Sequence, residues 1–153
     1  MDLILWRHAE ALEADDGSED LERALTARGE RQAARMAHWL NQHLPATTRV
    51  VVSPARRCQQ TASALERKFK TVSALAPDGT VPGLLAATRW PDAKEPVLAI
   101  GHQPTLGLVA AYLLAGVAQP WSVKKGAVWW LRRRAREGDD QTVLVTVRGP
   151  ENV

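Results

Sequence analysis

Three short apolar runs constrain this chain more than any other feature: Leu3-Ile4-Leu5-Trp6, Val50-Val51-Val52 and Val97-Leu98-Ala99-Ile100. Each is apolar without alternation and too short for a buried helix. That pattern fits strands covered on both faces. Helical patterns lie between them. Thr26 is placed to cap a helix running to about His43, with Ala33, Met36, Ala37 and Leu40 on one face and Pro45 past its end. After Val52, Ser53 reads as an N-cap and Pro54 as the first residue of a helix reaching about Lys68. Thr71–Leu75 reads as a weaker strand, Pro77-Asp78-Gly79 as a turn, and Val81–Thr88 as a short helix. Pro104 opens a helix to about Leu114, in which Gly107 permits close packing against the sheet. Ala127–Arg132 and Thr142–Arg148 read as an antiparallel pair joined across Gly138-Asp139-Asp140. The expected fold is an α/β three-layer sandwich. Its central sheet is mainly parallel, with helices on both faces and antiparallel C-terminal strands.

The 153 residues suit one domain, residues 1–153. Composition matters mainly for what it excludes. The apolar runs fall far short of a membrane span. Residues 1–6 carry Asp2 and no basic stretch, so no secretion signal is expected. A single cysteine, Cys58, excludes an internal disulfide and a cysteine-rich zinc site. These points favour the cytoplasm. A net charge of +3 is too small to imply nucleic acid. Its distribution is uneven, however. Glu10, Glu13, Asp15, Asp16, Glu19, Asp20 and Glu22 fall in a stretch without Lys or Arg, centred on Asp15-Asp16-Gly17-Ser18. That stretch reads as a loop. Arg132, Arg133, Arg134 and Arg136 form the basic peak, which reads as a solvated strand end guarding an edge.

A mainly parallel sheet binds ligands beyond the carboxyl ends of its strands. Arg7-His8 follows the first run, Ser53, Pro54, Arg56 and Arg57 follow the second, and Gly101-His102 follows the third. Three strands thus deliver two histidines and up to three arginines to one rim. Guanidinium forks match phosphoryl oxygens and stay charged at working pH. Helix starts after Ser53 and Gln103 add backbone N–H donors. A neutral imidazole there is a competent nucleophile, and nearby cations keep it neutral. A metal set of His8 and His102 with Glu10 or Asp78 competes poorly, because arginines repel a cation and no zinc-protease spacing occurs. His38 and His43 fall on or at the end of the Thr26–His43 helix and read as solvent-facing. Trp129-Trp130 should send one ring to each face of a strand, and Cys58 reads as buried.

These residues carry a resemblance to the histidine phosphatases. Leu3–Glu10 (L-I-L-W-R-H-A-E) resembles their R-H-G signature. Arg23–Gly29 (R-A-L-T-A-R-G) is similar to L-T-x-x-G, Ser53–Thr61 (S-P-A-R-R-C-Q-Q-T) to S-P-x-x-R-x-x-Q-T, and Ile100–Pro104 (I-G-H-Q-P) to the late G-H motif. The blocks keep the family's order from residue 3 to about 107. Short length and a compact acidic loop look most like its SixA branch. The resemblance implies that His8 is phosphorylated, that Arg7 and Arg57 grip the phosphoryl group, and that His102 donates a hydrogen bond to it. Glu10 and Asp78 are candidate acids, while Ser53 and Gln103 are candidate supporting residues. No cofactor and no metal are implied. The implied partner is a phosphohistidine-bearing protein, a phosphocarrier or signalling domain. A small phosphoester is the alternative, served by a phosphomonoesterase or mutase of the same superfamily. An inactive phosphate-binding module is a third reading. No membrane or nucleic-acid partner is expected, and the small domain suits a monomer. Ala9 departs from R-H-G, which matters if that turn needs a positive φ.

Overall fold

The computed structural model describes residues 1–15, 17 and 19–153; Asp16 and Ser18, from the centre of the acidic loop, lie outside the described residues, as does the side chain of Arg136. The strands are β1 (Asp2–Arg7), β2 (Arg49–Val52), β3 (Lys70–Thr71), β4 (Val97–Gly101), β5 (Val128–Arg136) and β6 (Asp139–Arg148). The helices are α1 (Ala27–His43), α2 (Arg56–Ser63), α3 (Val81–Thr88) and α4 (Thr105–Ala115). Single 3-10 turns occur at Asp20–Glu22 and Ser73–Leu75. The sheet order is β3-β2-β4-β1-β5-β6. The first four are mutually parallel, and β5 and β6 run antiparallel, as expected from the sequence.

The apolar runs are central because they are covered twice. Ile4 and Trp6 face Met36, Leu40 and Cys58 from α1 and α2. Leu3 and Leu5 face Leu84, Leu106 and Val109 from α3 and α4. The period-two pleat sends alternate residues into two separate cores. Trp130 joins the first core and Trp129 packs against the second. Thr26 caps α1 by accepting a hydrogen bond from the Gly29 amide.

Several boundaries differ from expectation. Ala55, not Ser53, caps α2, because the Ser53 hydroxyl turns towards His102 instead. The helix ends at Ser63 rather than near Lys68. Its last amides bond three residues back, and Glu66 then takes a left-handed φ of 55° that the helix cannot continue through. β3 stops at Thr71, since Ser73–Leu75 coil inward and bury Leu75. The β5–β6 hairpin is longer than predicted. Asp139 and Asp140 pair opposite Arg136 and Ala135, and Gly138 (φ 85°) makes the turn. The basic run therefore sits on an inner strand. Arg132 pairs with Asp2 and Arg133 with Asp140. Gly107 makes its tightest approach to the 119–123 loop and not to the sheet. A Cβ there would lie 1.8 Å from the carbonyl oxygen of Trp121, so its bareness admits the 119–123 loop. No described helix is long and apolar enough to cross a membrane.

Candidate active site

β2, β4 and β1 are neighbours and parallel, so their carboxyl ends open on one rim. The turn after β1 is fixed from three sides. The His8 amide bonds the carbonyl of Gly101 at 3.2 Å. The Gly126 amide lies 3.1 and 3.0 Å from the carbonyls of Arg7 and His8. The Ala9 amide donates to Thr61 Oγ1 at 3.2 Å. Ala9 is not among the residues with positive φ, so it carries no penalty for replacing glycine. Gln60 Oε1 accepts from the Leu25 amide at 2.7 Å, so the Q-T pair of α2 staples both flanks of the acidic loop. Gly29 serves the same end: a Cβ there would lie 2.0 Å from the Glu10 carbonyl oxygen.

His8 is 6% exposed, with Nδ1 2.7 Å from the Ala9 carbonyl oxygen. That acceptor requires the proton on Nδ1 and leaves a lone pair on Nε2. Burial pushes the His8 pKa down to about 4. The Ala9 hydrogen bond opposes the shift, and the charges of Arg57, Arg7 and Arg23 add to it. His102 is also buried, its ring centroid 5.2 Å from that of His8. Burial, then His8, then Arg57 push its pKa down to about 3. Both rings are neutral across the physiological range.

Arg7 Nη1 donates to the Val123 carbonyl at 2.8 Å. Burial lowers its pKa, and the neighbouring Arg57 charge lowers it further. Arg57, only 3% exposed, points inward, whereas Arg56 is exposed. Arg57 Nη2 stands 3.4 Å from His102 Nδ1. The Nε atoms of Arg7 and Arg57 are both buried without a partner among the described residues. Two cations with spare donors beside two neutral imidazoles make a seat for a multivalent oxyanion.

The other candidates lie further out. Ser53 Oγ is 2.7 Å from His102 Nε2 and accepts from the Ala55 amide. Gln103 bridges α4 to the 119–123 loop: Oε1 accepts from the Gly107 amide, and Nε2 donates to the Trp121 carbonyl. Glu10 Oε2 accepts from Thr26 Oγ1 at 2.7 Å, which ties it to the α1 start. Asp78 is exposed in its turn. Cys58 is buried, and its burial pushes the thiol up to about 12 against the opposing pull of Ser53 and Arg57. Among the described residues, no group of three His, Cys, Asp or Glu is placed to hold a metal.

Asp20 was not singled out by the sequence. Its backbone carbonyl accepts from Arg57 Nη1 at 2.7 Å, and its Oδ2 accepts from Arg57 Nη2 at 3.0 Å. Its Oδ1 accepts from Arg23 Nε at 3.0 Å. Burial alone would raise the Asp20 pKa, but hydrogen bonds and charge from Arg57 and then Arg23 hold it below the ordinary value. The available signal was the Asp20–Arg23 spacing beside an arginine that needs a counter-charge.

Residues 3–78 match the sequence model of the histidine phosphatase superfamily (branch 1). The chain is 33% identical over 129 residues to the phosphohistidine phosphatase SixA of Escherichia coli K12, covering 78% of each chain. It is 33% identical over 145 residues to an uncharacterized protein of Picosynechococcus, covering 88% of this chain and 87% of that one. A solved structure of the protein histidine phosphatase SixA complexed with tungstate superposes with a TM-score of 0.78. Sequence identity there is 26%, over 99% of both chains.

Proposed function

Because the chain belongs to the histidine phosphatase superfamily, in its SixA-type branch, we propose that it removes the phosphoryl group from phosphohistidine carried on a protein, with His8 as nucleophile. One observation carries the reading: His8 Nδ1 is committed to Ala9 O, so its Nε2 lone pair is free at the rim beside Arg7, Arg57 and His102. The likeness to SixA, and to a SixA structure holding the oxyanion tungstate, supports the substrate class.

In the proposed reaction, Nε2 of His8 attacks phosphorus while Arg7 and Arg57 hold the equatorial oxygens. The substrate's P–N bond breaks, and its electron pair leaves on the departing imidazole, which takes a proton from solvent. Water then attacks phospho-His8, and the second P–N bond returns its pair to Nε2. His102 donates a hydrogen bond to a phosphoryl oxygen in both steps. Removing one such donor costs on the order of 10²–10³ in rate. An imidazole leaves more readily than an alkoxide, so no carboxylic acid is required. This suits a site where Glu10 is tied to Thr26 and Asp78 is exposed. A small-molecule phosphomonoesterase would need a working carboxylic acid, from one of these or another residue.

The test compares wild type with His8→Ala on a phosphohistidine-bearing carrier and on an aryl phosphate, following phosphate release and acid-labile label on the protein. Faster turnover of the carrier, lost with His8→Ala, is expected. Faster turnover of the aryl phosphate would replace this reading with the small-molecule one. No turnover and no label would leave a binding module.

A further inference from the structure

We infer that Asp20 is a specificity-determining residue: its carboxylate occupies Nη2 of Arg57, beside the Nη1 that its own carbonyl holds, so an incoming oxyanion that grips Arg57 through Nη2 must displace that carboxylate. This rests on the reading of Arg57 as a phosphoryl-binding residue.

Arg57 is buried, and its Nη1 and Nη2 both donate to Asp20, at 2.7 Å to the backbone carbonyl and 3.0 Å to the carboxylate. A bidentate grip on a phosphoryl group uses parallel N–H bonds of the same kind. The Nη2 hydrogen that holds the carboxylate cannot also serve a phosphoryl oxygen, and two anions held on one guanidinium repel each other. Asp20 also has somewhere to go. Its side chain is 53% exposed, and its other carboxylate oxygen is already bonded to Arg23 Nε at 3.0 Å. Arg23 is itself anchored by Nη1 to the Leu12 carbonyl at 2.8 Å. Release from Arg57 therefore exchanges a partner and does not strand a charge.

The base of the loop supports such an exchange. The Ala11–Leu25 bridge and the Leu12 amide bonded to the Ala24 carbonyl close it. Gln60 holds the Leu25 amide. These contacts do not involve Asp20, so the base of the loop holds when the Asp20 side chain turns away. A free small phosphate must displace the carboxylate with its own charge alone. A phosphoryl group presented on a protein surface brings further contacts, which offset that cost. Asp20 therefore selects against small phosphates in favour of a macromolecular substrate, and the other acids between Glu10 and Glu22 reinforce the discrimination by charge.

The experiment measures binding of inorganic phosphate by calorimetry to wild type, Asp20→Asn, Asp20→Ala and Arg57→Gln. It then measures turnover of an aryl phosphate and of a phosphohistidine carrier. Asp20→Asn keeps an acceptor but loses the charge, and an exposed side chain leaves folding intact. Both Asp20 variants should bind phosphate roughly 10-fold more tightly, a change set by trading a charge-assisted bond for a neutral one. Their KM for the aryl phosphate should fall by about the same factor, with kcat little changed and the carrier affected less than twofold. Unchanged or weaker phosphate binding in both variants would overturn the inference and make Asp20 a support for Arg57. Arg57→Gln separates the two levels of the argument. If it loses phosphate while the Asp20 variants gain nothing, only this inference fails. If it binds phosphate like wild type, the seat is misassigned and the inference falls with it.

Discussion

Ser53 Oγ stands 2.7 Å from Nε2 of His102, while Nδ1 of that ring faces Arg57. A neutral imidazole carries one proton. Ser53 already accepts from the Ala55 amide, so its own hydroxyl hydrogen is free to donate to Nε2. A phosphoryl oxygen needs the ring proton on Nδ1, and a hydrogen bond from Ser53 to Nε2 favours that tautomer once Arg57, whose Nη2 faces Nδ1 as a donor, turns to the phosphoryl group. Ser53→Ala should therefore lower kcat by about 10-fold with KM little altered, as the ring loses its preferred tautomer. Ser53→Thr, which restores the hydroxyl, should recover part of the rate. Equal kcat in Ser53→Ala and wild type would remove Ser53 from the catalytic argument.

The depressed histidines make an acid-side prediction for activity. Wild-type kcat/KM should stay flat from neutral pH to about 5 and fall as His8 protonates near 4. A break near 6.5 in the pH profile would mean that burial and the arginine charges do not hold the ring neutral.

Stability should follow the same groups with a definite sign. Both histidines have folded pKa values below the ordinary 6.5, so between 6.5 and about 4 (His8) or 3 (His102) the unfolded chain binds the extra protons. Stability is then full above 6.5 and falls as pH drops through that window, by up to about 1.4 kcal/mol per pH unit for each ring. Urea unfolding of wild type and His102→Gln at pH 4–7 should give a shallower slope for the variant. Equal slopes would mean His102 protonates in the folded state.

How much of this could be read beforehand follows the physics of each element. β1, β2 and β4 were legible because burial on both faces demands unbroken apolar runs. That His8, Arg57 and His102 would meet at one rim was legible because His8 and His102 follow β1 and β4 directly and Arg57 stands in the first turn of α2, after β2. The end of α2 was not, since Glu66 takes a positive φ without the glycine that normally marks one. The full β5–β6 hairpin was hidden because its outer part lies beyond the core and pairs Arg with Asp instead of apolar residues. Asp20 was hidden because its partner is 37 residues away. Ser53 had two readings, helix cap and supporting residue: the cap falls to Ala55, and only the third dimension brings the Ser53 hydroxyl within reach of His102.

The 119–123 loop links packing to binding. Gly107 admits the Trp121 carbonyl, Gln103 fastens it, and Val123 two residues on receives Arg7. Gly107→Ala should displace the loop, cost about 1–3 kcal/mol of stability, and weaken phosphate binding. A thermal melt together with phosphate titration checks both. Lost stability with unchanged phosphate affinity would show that Arg7 keeps its orientation without Val123.

Cys58 offers a test of the packing beneath the site. Its sulfur is fully buried, 3.5 Å from His102 Nε2 and 3.8 Å from the Gly101 carbonyl. Nearby Arg57 would ordinarily favour a reactive thiolate. Burial outweighs it and pushes the thiol up to about 12, so almost no thiolate exists at pH 8. An aromatic disulfide reagent at pH 8 should therefore label the native protein only as fast as it opens. Labelling should become complete within seconds in denaturing urea. Excess inorganic phosphate should slow native labelling further if it binds the folded site above this cysteine. Prompt labelling of the native protein would mean that the α2–sheet contact opens readily, and that the low dielectric invoked for His8 and His102 does not hold.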